Sequence, residues 1–202
     1  MDLKLVSLIV AALVVLSHTV QGQVLLPGRC DRQQAAAMSD FDVSQYVGKW
    51  YEQYRYFAAF EIGLKCVTAE YSPLPDGTVQ VNNKGINSNN GEAKDILGIA
   101  SIQNPEEPGK LHVVFPEQGA EAELWILRTD YENFSVAYSC RDAPGLNLRF
   151  VSAWLLSRTA EGYTADVRAE VDRILLQNNV DVRRFLPVDQ QSCPAATLDF
   201  LQ

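Results

Sequence analysis

Short apolar runs recur along most of this chain, and turn signals separate them. Trp50 to Phe57 is aromatic-rich with rough alternation, and Val67 to Tyr71 follows it. Pro73-Leu74-Pro75-Asp76-Gly77 then marks a turn, because Pro fixes φ and Asp-Gly favours a tight reversal. Thr78 to Val81 alternates, Asn87 to Gly91 is a turn cluster, and Ile96 to Ile102 ends at Asn104-Pro105. Leu111 to Phe115, Glu121 to Thr129, Phe134 to Cys140 and Leu148 to Ser157 complete about eight strand-like runs. Hairpin-sized loops join them, which predicts an antiparallel sandwich or barrel. The pattern changes once, and late. In Thr164 to Asn178, Val167, Val171, Ile174 and Leu175 form one apolar stripe, with Asp166, Arg168, Asp172 and Arg173 turned away. Thr164 suits the cap of that helix, and Asn178-Asn179 suits a left-handed stop.

The run from Glu121 to Thr129 is apolar on both faces. Its odd positions are Glu123, Trp125, Leu127 and Thr129, and its even positions are Leu124, Ile126 and Arg128. One face is expected to line an interior while the other lies under the helix stripe. An eight-stranded closed barrel encloses just enough space for side chains or one small ligand.

Composition narrows the class. Of 202 residues, 47% are apolar and 21% charged, which excludes a disordered chain. The net charge is −8 and no Lys/Arg run exceeds Arg183-Arg184, so a nucleic-acid groove is not expected. Leu5 to Leu16 is an apolar run broken only by Ser7, and small residues flank a cut after Gly22. Residues 1–22 therefore read as a secretory signal peptide and 23–202 as one domain. The run is shorter than the ~20 residues that span a bilayer, so no transmembrane segment is expected. Cys30, Cys66, Cys140 and Cys193 make an even set behind a leader, which predicts two disulfides of open pairing. None stands at the C-x2-C spacing of a zinc site, and no metal is expected.

A family resemblance then appears. Asp40-Phe41-Asp42-Val43-Ser44-Gln45-Tyr46-Val47-Gly48-Lys49-Trp50-Tyr51-Glu52 resembles the first lipocalin signature, a helical turn followed by Gly-x-Trp-Tyr. Thr129-Asp130-Tyr131 resembles the second and Arg158 the third, in the family's order. Trp125-Ile126-Leu127, Tyr138-Ser139-Cys140, Asn178 to Arg184 and Asp189 to Pro194 are similar to the apolipoprotein D, insect bilin-binding and Lazarillo-like branch. The resemblance covers essentially the whole chain after the leader. It implies an all-β fold, an eight-stranded antiparallel up-and-down barrel with one C-terminal helix outside. It implies the pairs Cys30–Cys140 and Cys66–Cys193. It makes Gly48, Trp50, Thr129, Asp130 and Arg158 fold determinants, with Arg158 lying over the Trp50 indole at the closed end.

The function implied is a secreted carrier that reversibly binds a small hydrophobic ligand: a fatty acid, sterol, retinoid or bilin. No cofactor is required, although a bound lipid or biliverdin fits. Strand parity and family analogy nominate Trp125, Leu127, Tyr71, Asn83, Phe115 and Tyr138 as ligand-binding residues. Two departures stand out. Asn87 occupies the position where relatives place an Arg near the mouth, which weakens a carboxylate clamp. Pro116-Glu117-Gln118-Gly119 is polar where some relatives are apolar, which weakens docking on lipid surfaces. Asn133-Phe134-Ser135 is the sequon, so Asn133 is the expected glycosylation site. With His18 in the leader, His112 is the one remaining histidine, and no nucleophile–base constellation accompanies it, so no catalytic residue is expected. Two alternatives stay open: a biliverdin pigment carrier, and an interaction protein with a filled calyx acting on a cell-surface receptor. Monomer and homodimer stay open too.

Overall fold

The computed structural model describes residues 23–30 and 35–194. The predicted leader and its cut lie outside the described residues. The strands are β1 (Val24–Pro27), β2 (Gly48–Arg55), β3 (Leu64–Pro73), β4 (Val79–Asn87) and β5 (Ala93–Ile102). They continue as β6 (Lys110–Phe115), β7 (Ala120–Thr129), β8 (Phe134–Asp142), β9 (Leu148–Ser157) and β10 (Leu186–Pro187). Strands β2 to β9 pair antiparallel in chain order, and β9 returns to β2. The sheet is thereby a closed eight-stranded barrel, and closure removes the exposed edges that an open sheet would leave. The two remaining strands are short; β1 is unforeseen in the hydropathy pattern, and β10 falls where a short C-terminal tail or strand is expected. β1 lies along the start of β9, with Val24 opposite Val151, and β10 along the end of β2, with Leu186 opposite Arg55.

Backbone pairing carries β4 well past Val81, where alternation stops in the sequence. Asn82, Asn83 and Lys84 stay in register with β3 on one side and β5 on the other. A backbone satisfied on both edges holds polar residues in a strand. The helix α1 (Val43–Tyr46) is capped by Asp42, whose Oδ1 accepts from the Ser44 amide at 2.9 Å. The helix α2 (Ala165–Gln177) starts at Thr164, whose Oγ1 accepts from the Val167 amide, and ends before Asn179 at φ +53°. Its stripe buries Val171, Ile174 and Leu175 against the outside of the barrel.

The interior is thus two cores. One fills the closed end of the barrel, with Tyr46, Trp50, Tyr71, Val81, Val113 and Ile126. The other lies between the barrel wall and α2. Trp50 is fully buried, and its indole N–H donates to the Tyr46 carbonyl at 2.9 Å. The Arg158 guanidinium lies 3.7 Å from the indole centroid and also donates to the carbonyls of Tyr131, Lys49 and Gln45. Gly48 takes φ +94°, and a Cβ there would meet Arg158 Nη1 at 3.4 Å. Thr129 Oγ1 donates to the Phe134 carbonyl at 2.7 Å, and Asp130 accepts from the amides of Asn133 and Phe134. These contacts knot the β7–β8 turn.

Disulfides join Cys30 to Cys140 and Cys66 to Cys193. The second holds a seam. β2 and β3 pair only where Gly48 to Tyr51 faces Tyr71 to Thr68. Beyond that stretch the C-terminal segment closes the gap. The Val188 amide donates to Gln53, the Cys66 amide donates to Asp189, and Gln190 Nε2 donates to the carbonyls of Glu52 and Val67.

Candidate ligand-binding site

A cavity of about 540 Å³ occupies the barrel above the closed-end core. It runs from Tyr71, Val81 and Leu156 up to Phe60 and Gln118, in the turns at the open end. Val67, Ala69, Val113, Leu124, Ala137 and Trp154 supply apolar wall. The volume falls within the roughly 300–1,000 Å³ of small-molecule sites.

One patch of that wall is charged. Glu52 of β2 is only 4% exposed, and Glu61 sits in the 3-10 turn Ala59–Glu61 after it; both line the cavity. Arg55 Nη1 donates to Glu52 Oε1 at 2.7 Å, and Arg55 Nε lies 3.6 Å from Glu61 Oε2. The Trp154 indole N–H, from β9, reaches the same Glu61 oxygen at 3.4 Å. In a regular strand, residues three apart face opposite sides. Here a bulge between Glu52 and Tyr54 shifts the register against β9 and brings Arg55 back to the side of Glu52. Burial raises both carboxyls, Glu52 to about 7, and the nearness of Glu52 raises Glu61 further; Arg55 opposes the rise in each.

A closed barrel with one open end, an outer helix and a knotted closed end is a known architecture, and comparison with known proteins decides which. A sequence profile of the lipocalin / cytosolic fatty-acid binding protein family matches residues 47–192. The chain belongs to the lipocalins. It is similar to apolipoprotein D of Macaca fascicularis, 35% identical over 189 residues, which cover 93% of this chain and 96% of that protein. It is similar to the Lazarillo protein of Schistocerca americana, 31% identical over 91% of this chain and 84% of that one. Among solved structures it resembles insecticyanin from the tobacco hornworm Manduca sexta, with a TM-score of 0.72 and 25% identity. That likeness covers 87% of this chain and 92% of insecticyanin's.

The calyx of this lipocalin brings together half of the residues nominated from sequence. Tyr71, Asn83 and Phe115 line it. Trp125, Leu127 and Tyr138 do not, and their expected inward facing is corrected: all three belong to the core beneath α2. Trp125 packs against Tyr138 with ring centroids 6.0 Å apart, and Lys110 Nζ lies over the Trp125 ring. The even positions of β7 point inward instead, Leu124 into the cavity and Ile126 into the closed-end core. Both faces of β7 are apolar, so periodicity alone did not choose between them. One signal did. Glu121 and Glu123 share the parity of Trp125, and both are exposed, with Glu123 Oε2 accepting from the Trp125 indole at 3.1 Å. Exposed carboxylates so placed belong on the outer face or at the rim, where Glu121 also borders the cavity.

Sequence reasoning missed Glu52, Glu61 and Trp154. The bulge that turns Arg55 inward has no marker in the hydropathy pattern, and Trp154 sits in a run apolar on both faces. Asn87 ends β4 and spends its side-chain oxygen on the Asn89 amide in the turn. His112 is half-buried outside the calyx, with Nε2 3.5 Å from Glu121. Among the described residues, no group of three His, Cys, Asp or Glu side chains is placed to hold a metal. No described helix is long and apolar enough to cross a membrane. Asn133 is exposed in the β7–β8 turn, where its Nδ2 donates to Asp130 at 2.7 Å.

Proposed function

We propose that this lipocalin is a secreted carrier that holds one small apolar molecule in its calyx by reversible burial, without covalent chemistry. The observation that carries the reading is the open cavity of about 540 Å³ with a mainly apolar wall. Removing an apolar ligand and that wall from water together is favourable, at about 25 cal/mol per Å² of apolar surface. Tyr71, Asn83 and Phe115 are the ligand-contacting residues from the original set, joined by Leu124 and Trp154. Two disulfides and the apolar leader of the sequence support export. The interaction-protein alternative required a filled calyx, and a cavity of this volume argues against it. Native mass spectrometry of the protein recovered from secreting cells tests the reading. A one-to-one adduct that leaves on unfolding in organic solvent is the expected result. A bare chain that also takes up no retinol, sterol or fatty acid would overturn it.

A further inference from the structure

The charged patch in the calyx is unbalanced. Two carboxylates, Glu52 and Glu61, share one guanidinium, Arg55. Arg55 has little left to offer a ligand, because its Nη2 donates to the carbonyls of Glu61 and Leu64. The carboxylates are differently placed. Only one oxygen of Glu52 accepts a hydrogen bond among the described residues, although the side chain is almost wholly buried. Glu61 likewise receives its indole and guanidinium contacts on Oε2. A third acceptor lines the same cavity: Gln23 Oε1 is buried and has no hydrogen-bond partner among the described residues. At this patch the described residues leave acceptor oxygens of Glu52, Glu61 and Gln23 without a donor, in a space where an unpaired acceptor costs free energy.

We propose that Glu52 and Glu61, held by Arg55, are a recognition point that selects apolar ligands ending in a hydrogen-bond donor, an ammonium above all and an alcohol next, over ligands ending in a carboxylate. This rests on the carrier reading and names the polar end of its ligand. A donor fills the acceptor oxygens that the patch leaves open, and a cation also favours ionised carboxyls where burial otherwise opposes them. A carboxylate brings a third acidic group to a guanidinium already taken by two, and like charges at close range in a low dielectric repel strongly. The bulged stretch of β2 serves this end. Without the bulge, Arg55 would face away and the two carboxylates would have no common counter-ion.

The other charged groups on the cavity wall are at its rim: Lys84, Lys94, Asp95 and Glu121. Lys84 faces Glu70 across the β3–β4 pair at 4.0 Å, and Lys94 is exposed next to Asp95. Together they add two cations and two anions, so the rim does not reverse the sign of the patch.

Retinylamine, retinol and retinoic acid share one apolar body and differ in the polar end. Each is titrated against the full chain loaded with N-phenyl-1-naphthylamine, whose displacement is followed by fluorescence at neutral pH. The amine is expected to bind at least tenfold more tightly than the acid, with the alcohol between them. Glu61→Gln removes one of the two carboxyls and keeps the shape, and it should cut the amine-to-acid ratio at least fivefold. Glu52→Gln gives the second measurement if Glu61→Gln fails to melt cooperatively. Equal affinities, or a ratio unchanged in a folded variant, would overturn the proposal while leaving the carrier intact. Preference for retinoic acid would do the same and place recognition with the rim lysines. A folded protein that binds neither the probe nor any retinoid would overturn the carrier reading itself.

Discussion

Arg158 does for the closed end what no apolar residue could do. It stacks on Trp50 and ties carbonyls from α1, β2 and the β7–β8 turn to one planar cation. Truncating it removes a cation–π contact and leaves several acceptors without their donor. Arg158→Ala should therefore cost about 2–4 kcal/mol in urea unfolding. Ligand affinity should change little, since Arg158 lies outside the calyx. Intact stability with lost binding would contradict this assignment. The carboxylate pair makes a second residue-scale prediction. Glu52 keeps its proton to about pH 7 in the folded protein, against a usual 4.5. Between those values the folded state holds a proton that the unfolded chain has released. Stability from Glu52 therefore falls as pH rises through the window, and the upward shift of Glu61 acts in the same direction. Asp130 and Asp181 are shifted downward and act at lower pH. The urea midpoint should be higher at about pH 5 than at about pH 8, and Glu61→Gln should narrow the gap.

At the scale of elements, the β2–β3 seam depends on a segment remote in sequence. The tail crosses where the two strands part, and the Cys66–Cys193 bridge fixes it there. Converting both cysteines to serine should lower stability by about 2–5 kcal/mol. It should also speed hydrogen exchange at the Cys66 amide, which donates to Asp189. Slow exchange after the substitution would mean that hydrogen bonds alone hold the seam. Legibility varied between elements for physical reasons. The β-turns, the capped helix α2 and both cysteine pairs stand in the sequence as turn chemistry, periodicity and family likeness. β10 is two residues long and exists only because β2 offers it an edge, so no local pattern fixes its bounds. β7 is apolar on both sides because it separates two cores, which is why Trp125 was assigned to the wrong one. Its outer face was still legible through Glu121 and Glu123, residues that an interior could not hold unpaired.

For the whole molecule, the division into an inner calyx and an outer helix-covered core separates binding from stability. Residues under α2 carry the fold, and on the proposed reading residues above the closed-end core carry the ligand. That division places Trp154 in the calyx wall and Trp125 outside it, with Trp50 buried below under Arg158. The fold itself was legible from short strands, one late helix and three ordered motifs. The calyx was legible in only half of its nominated residues, because facing depends on bulges and on what packs outside each strand. The most direct measurement is a retinol titration followed by tryptophan emission in the wild type, Trp125→Phe and Trp154→Phe. Saturable one-to-one quenching should persist in Trp125→Phe and largely vanish in Trp154→Phe. Quenching that survives Trp154→Phe and disappears in Trp125→Phe would put the ligand beneath the helix and contradict the calyx as the binding site.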